Sequence, residues 1–202
     1  MSSPLARRED EAMTRSPRIT LSNARRGLLA LLIFVLAGCE RHPPAQPLIL
    51  NDFEDQADLT RIVWRCRTTF SLSDRYRTHG KSGLLLTMYP DPYPGLTLKL
   101  TPEERDWRGY RYLALEAINP GSAPVALCYR IDDLANPDYQ ERANGAFRLA
   151  PGINHLRLEL AALRTSGSRR PLHWRRVDKV LFFVVSPPAK VELGVDYLRL
   201  EK

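Results

Sequence analysis

The sequence is short of nearly everything that marks a common catalyst. It has no Gly-x-Ser-x-Gly elbow, no His-Glu-x-x-His pair and no phosphate-cradling glycine loop. The four histidines (His42, His79, His155, His173) are not spaced in pairs for a metal, and the three cysteines do not form a zinc motif. Helical periodicity is almost missing, with single turns expected only at residues 161–163 and at 103–107 behind Pro102. There is no internal repeat. No stripe of Lys and Arg interleaves with aromatics, which excludes nucleic acid as a partner. The only basic cluster, Arg169-Arg170 and Arg175-Arg176 around His173 and Trp174, reads as a solvated loop, with anionic headgroups or polysaccharide as the alternative.

One strongly apolar run exists, at residues 27–36, and it is well short of the ~20 residues that span a bilayer. Arg25 and Arg26 precede it and Leu36-Ala37-Gly38-Cys39 closes it, the order of a secretory signal peptide. The last four residues resemble the bacterial lipoprotein signal, which is cleaved before its cysteine. That resemblance implies removal of residues 1–38, lipidation of Cys39 and attachment to a membrane. Glu40 stands where lipoproteins retained in the inner membrane usually carry aspartate. By that analogy the chain belongs to the bacterial cell envelope, on the outer membrane facing the periplasm. Translation from Met13 instead of Met1 would give a purely basic leader. Without residues 1–38 the net charge falls from +7 to +4. Residues 39–47, rich in proline, read as a tether, and 48–202 as one domain. Cys66 and Cys128 remain in an oxidising compartment, either as a disulfide or as two separate buried thiols.

Beyond the tether the pattern is β. Apolar residues alternate at Leu84/Leu86/Met88, Leu96/Leu98/Leu100, Leu113/Leu115/Ala117, Val125/Leu127/Tyr129/Ile131, Leu156/Leu158/Leu160 and Val191/Leu193/Val195. Residues 180–185 are apolar without a break, which predicts a strand buried on both faces. Proline and glycine turns at 89–95, 119–122, 150–152 and 186–188 separate these runs. About ten short strands with little helix make an all-β fold, a two-sheet antiparallel β-sandwich or jelly roll. In the last strand Leu198 and Leu200 fall on the opposite parity to Val191–Val195. The slip predicts a β-bulge at Asp196-Tyr197 that re-aims the aspartate.

Three segments carry a second resemblance, over residues 48–202: Asp52-Phe53-Glu54, Thr78-His79-Gly80-Lys81-Ser82-Gly83-Leu84 and Gly194-Val195-Asp196-Tyr197-Leu198. Together they resemble carbohydrate-binding modules with the galactose-binding-domain-like jelly roll. The resemblance implies that these segments meet around one structural calcium, with Glu54, His79, Ser82 and Asp196 as its residues. Calcium takes six to eight oxygens from carboxylates and bent-loop carbonyls, which suits two acids and a turn. The alternative is that Glu54 and Asp196 are simply hydrogen-bonded at strand ends. Trp107 resembles the tryptophan that opens a strand in such modules and reads as a packing residue; Trp64 reads as core.

In that family a concave sheet binds glycan. Here the candidates are Tyr110, Tyr112 and Glu116, which alternate with Leu113 and Leu115, together with Arg130 and Asp132 on what reads as the neighbouring strand. The polar stretch that follows adds Tyr139, Arg142 and Asn144. Aromatic planes for sugar faces and charged or amide groups for hydroxyls are the mixture such a site needs. The residues at 89–95 offer two more tyrosines on a proline-stiffened loop. The sequence thus points to a non-catalytic, lipid-anchored domain binding a saccharide or polysaccharide. The alternatives are a structural or assembly lipoprotein gripping an envelope protein partner with the same face, and a divergent hydrolase using Asp132-Asp133 with Asp138 or Glu141.

Overall fold

The structure is a computed structural model that describes residues 46–202. Cys39, the leader and most of the tether lie outside the described residues. Eleven strands build two antiparallel sheets. Sheet A holds β1 (Leu48–Asn51), β3 (Thr68–Ser73), β4 (Gly83–Met88), β6 (Tyr112–Asn119), β9 (Gly152–Glu159) and β11 (Val191–Glu201), in the order β3-β4-β11-β6-β9 with β1 beside β11. Sheet B runs β2 (Ile62–Arg65), β5 (Gly95–Lys99), β10 (Lys179–Phe183), β7 (Val125–Asp132), β8 (Ala143–Leu149). Among the described residues no helix is long and apolar enough to cross a membrane.

The alternation read from the sequence is the core. Leu84, Leu86, Leu113, Leu115 and Leu193 on sheet A face Leu98, Leu127, Ile131, Val180 and Phe182 on sheet B, all essentially without solvent exposure. Burying each such side chain contributes about 1.5–3 kcal/mol, which outweighs the weak local preferences of strands this short. Trp107 closes one end of the sandwich. Its ring lies parallel to Trp174 with centroids 6.1 Å apart, and its Nε1 donates to the Glu104 carbonyl.

Both expected turns form, at Pro102–Arg105 and Leu160–Ala162. The structure adds α1 (Gln56–Leu59), a single turn started by Asp55, whose side chain accepts from the amides of Ala57 and Asp58. Asp55 and Asp58 form a capping box, a signal present in the sequence but made of two aspartates rather than the usual Ser/Thr with Glu.

The bulge falls where the parity slip places it. Between Asp196 and Arg199, β11 advances three residues while β6 advances two, and Tyr197 adopts φ +48°. The bulge marks a change of partner. Residues Val191–Val195 pair with β4 and Leu198–Leu200 pair with β1.

Two expectations need correction, and the open choice between a disulfide and separate thiols closes on the thiols. β10 is buried on one face only: Val180 and Phe182 point into the core, while Leu181 and Phe183 stand half-exposed outside and Val185 is largely exposed. β6 and β7 are consecutive but not neighbours in a sheet, because the turn between them carries the chain across the sandwich. The two thiols are free and half-buried. Cys66 follows β2 and Cys128 lies on β7, three strand spacings away across sheet B. That is about 14 Å, twice the reach of a disulfide.

Candidate functional site

The outer face of sheet B carries a groove. Strand register lines up Val63, Thr97, Leu181, Arg130 and Asn144 in one row across all five strands. The next row runs through Gly95, Phe183, Cys128 and Ala146. Two hollows of about 570 and 390 Å³ lie on this floor and share Thr97, Arg130, Arg142 and Leu181.

The two ends differ in chemistry. At one, Phe183, Tyr93 and Tyr139 make an aromatic surface. Tyr93 is 59% exposed and Tyr139 is 67% exposed. Tyr93 meets Phe183 edge-on, with centroids 5.9 Å apart. Its loop is stiffened by Pro90, Pro92 and Pro94 and pinned to the end of β10, where the amides of Val184 and Ser186 donate to the carbonyls of Pro94 and Pro92. Gly95 is required beneath it, since a Cβ there would lie 2.2 Å from the Phe182 carbonyl oxygen. At the other end Lys99, Arg105, Arg130, Arg142 and Lys179 line the hollow.

The wall bearing Tyr139 and Arg142 is built by buried electrostatics. Asp132 and Asp133 are both buried and take separate arginines. Arg130 donates to Asp132 from Nε at 2.8 Å and from Nη2 at 2.5 Å. Arg170 grips Asp133 through Nη1 (2.6 Å) and Nη2 (2.9 Å) and holds Glu141 through Nε (2.6 Å). Burial alone would raise the Asp133 carboxyl. The hydrogen bonds from Arg170 and the His173 amide, with the Arg170 charge, outweigh burial and hold it below its ordinary value. The amides of Ser166 and Gly167 donate to the carbonyls of Arg142 and Gln140, and Asn144 Nδ2 donates to Ser166 Oγ. A second loop therefore buttresses the wall.

Arg130, Asp132, Tyr139, Arg142 and Asn144 thus share one region. The other three ligand candidates do not join them, because alternation along a strand sets the face and not the sheet. Tyr112 and Glu116 lie on the outer face of sheet A. The Tyr112 ring is engaged by the guanidinium carbons of Arg111 (4.9 Å) and Arg157 (4.1 Å), which leaves it no free platform. Glu116 is buried against Arg199 and His155. Tyr110 packs half-buried against the core. Leu181, Phe183, Lys99, Arg105 and Lys179 were not foreseen. The unbroken apolar run at 180–185 held part of that signal, since its second parity set needed a place outside the core.

The four metal candidates gather at the middle of β11, around the bulge. Asp196 Oδ2 accepts from the Thr78 amide (2.5 Å), the Thr78 hydroxyl (3.0 Å) and the His79 amide (2.9 Å), and Oδ1 accepts from the Tyr197 amide. The Ser82 hydroxyl donates to the Phe53 carbonyl. Glu54 accepts from the Lys81 amide, and Gly80, at φ +59°, leaves room for that carboxylate. His79 stacks on Tyr197 with centroids 4.1 Å apart and contacts Asp52 at 3.0 Å. The ligand atoms that come together are those of Asp52, Glu54 and His79, within 4.8 Å of one another. Asp52 was absent from the expected set; Asp196 and Ser82 are spent on the backbone. Burial pushes the Asp52 carboxyl up, His79 draws it back, and the charges of Asp196 and Glu54 add to the rise.

No family model matches the sequence, and no curated protein matches it well enough to count as a relative. Solved structures do match its fold. The family 11 carbohydrate-binding module from Clostridium thermocellum, solved in complex with a β-1,3-1,4-mixed-linked tetrasaccharide, superposes with TM-score 0.62 at 12% identity, covering 77% of this chain and 95% of the module. The CBM22-1 xylan-binding domain from Paenibacillus barcinonensis Xyn10C gives 0.53 at 17% identity, covering 77% and 94%. An exo-β-agarase gives 0.63 at 15% identity over 76% of this chain, which spans 24% of that enzyme. At these identities the likeness is one of fold: the chain has the jelly-roll sandwich of carbohydrate-binding modules.

Proposed function

We propose that the domain binds a saccharide chain, without cleaving it, along the outer face of sheet B. One observation carries the reading: the face is a cleft with two largely exposed tyrosines and an apolar floor, flanked by guanidinium and amide donors. A sugar ring offers an apolar face to Tyr139 or Tyr93 and hydroxyls to Arg130, Arg142 and Asn144. Pre-set proline and salt-bridge walls lower the ordering cost of the contact. The cleft also favours this reading over protein capture, for which a flat apolar patch is the expected surface. Support from outside the chain comes from modules of the same fold, one solved in complex with a β-1,3-1,4-mixed-linked tetrasaccharide and one described as xylan-binding.

The reading includes an address. Cys39 carries the lipid and holds the domain on the envelope membrane, most simply the outer one; the four-residue box at residues 36–39 is its support. It also includes calcium at the bulge. Asp52 and Glu54 fit as its carboxylates, because a cation would offset the burial that chiefly raises Asp52 and the charges of Asp196 and Glu54 that add to the rise. The ion would supply charge neutralisation to Asp52 and Glu54, beside the turn that carries His79.

The test is affinity electrophoresis of residues 44–202, a compact unit with its own core, through a panel of soluble polysaccharides. Retardation by a glycan is expected. Tyr139→Ala or Tyr93→Ala should weaken it about fivefold or more, the loss of a stacked anchor worth ~1 kcal/mol. Tyr112→Ala should leave it unchanged. No retardation by any glycan would move the protein-partner reading to first place.

A further inference from the structure

We infer that the saccharide taken by this groove is anionic, bearing uronate carboxylates or sulfate esters. The inference rests on the saccharide reading above and deepens it. Its ground is the unequal charge of the groove. Five cations (Lys99, Arg105, Arg130, Arg142 and Lys179) line the larger hollow, against one carboxylate in that lining, Asp178, and the buried Asp132 beneath Arg130. Those two carboxylates are already matched, Asp132 by Arg130 and Asp178 by Lys179 at 3.4 Å. Among the described residues Lys99, Arg105 and Arg142 pair with no carboxylate.

Arg142 is held in place without being neutralised. Its Nε donates to the Pro137 carbonyl at 3.0 Å, which fixes the side chain and leaves both terminal nitrogens open. Its backbone carbonyl is tied to Ser166. Arg130 keeps Nη1 unengaged after gripping Asp132 with Nε and Nη2. A neutral glycan needs no such excess, and desolvating unpaired guanidiniums against hydroxyls alone is costly. Carboxylate and sulfate oxygens match the guanidinium fork, and charge-assisted bonds of that kind are about twice as strong as neutral ones. The aromatic end is continuous with this one through Thr97, Arg130, Arg142 and Leu181. A polymer lying along the groove therefore stacks a ring at one end and presents its anionic groups at the other.

The experiment compares matched polymers in affinity electrophoresis of residues 44–202. Polygalacturonate is set against its methyl ester, and dextran sulfate against dextran. A neutral β-glucan and a neutral xylan are included. We expect retardation by polygalacturonate or dextran sulfate and not by the uncharged counterpart, and the polymer that succeeds identifies the anionic group. Arg142→Gln and Lys99→Gln should each weaken it about tenfold, Tyr139→Ala should weaken it as well, and Arg77→Gln, outside the groove, should not. Circular dichroism of each variant checks that it folds. Retardation by neutral polymers equal to or stronger than by charged ones overturns the anionic inference and leaves the saccharide reading standing. Retardation by charged polymers that Arg142→Gln and Tyr139→Ala do not weaken also overturns it, since attraction is then diffuse. Failure of every polymer overturns both.

Discussion

Cys66 stands at the lip of the aromatic end of the groove, with a backbone φ of +66° that favours glycine. Holding a β-carbon there costs on the order of 1 kcal/mol. Cys128, three strands away on the same sheet, is half-buried, and burial pushes that thiol up, so little of it is thiolate at neutral pH. Treatment with iodoacetamide near pH 8 should therefore modify Cys66 well before Cys128, as peptide mass mapping would read. Modification of Cys66 should block glycan binding, and bound glycan should slow the reaction. Faster labelling of Cys128 would contradict this placement of the groove. The Cys66→Gly variant keeps binding and becomes insensitive to the reagent.

At the scale of elements, the buttressing loop decides the groove's shape through Arg170. Replacing Arg170 by Met leaves Asp133 buried without its partner and frees Glu141. Loss of about 3 kcal/mol of stability is expected in urea denaturation, together with weaker glycan binding as Tyr139 and Arg142 lose their fixed wall. The pH profile separates this from a general defect. Asp133 titrates below its ordinary value in the folded state, so its contribution is full above the unfolded carboxyl range near pH 4. That contribution is lost as pH falls through the lowered native value. Wild type should lose stability steeply below about pH 4, and Arg170→Met should show a flatter acid limb. Elements were also where the sequence was least legible. Alternation placed Leu113, Leu127 and Leu193 in the core and the parity slip located the bulge, because burial acts on one side of a strand at a time. Nothing in that pattern says which sheet a strand joins. The turn from β6 to β7 has the proline and glycine of a hairpin, yet Asn119 folds back on the Ala123 carbonyl and the Gly121 amide while the chain crosses layers. Tyr112 and Glu116 therefore face outward as alternation predicts, but on the other sheet from Arg130 and Asp132. Arg170 was visible only as part of a basic cluster, since its partners Asp133 and Glu141 lie 37 and 29 residues away.

For the molecule as a whole, the bulge region is where the ends of the domain are secured. Residues 52–54, the turn at 78–82 and β11 meet there through Asp196, Ser82 and Glu54. If calcium sits at Asp52 and Glu54, it stabilises the entire cooperative unit, because a ligand bound only by the folded state raises stability by mass action. At a calcium concentration a hundredfold above its Kd the gain is about 2.7 kcal/mol, a rise of several degrees in Tm for a domain of this size. Chelation with EGTA should reverse it, and Asp52→Asn should abolish the response. A Tm indifferent to both would mean that the His79 ring and the Lys81 amide already satisfy these carboxylates.

The pairing of β1 with β11 sets Leu48 directly opposite Leu200. Chain entry and exit are therefore separated by little more than one strand spacing, about 5 Å, and the domain is close to a closed loop of polypeptide. Such a loop can be cut elsewhere and rejoined: a few residues linking 202 to 48 would let new ends open in the exposed stretch at 188–190, beyond the Ser186 contact that pins the aromatic loop. The same closeness means that anything fused after Lys202 emerges beside the start of β1 at Leu48.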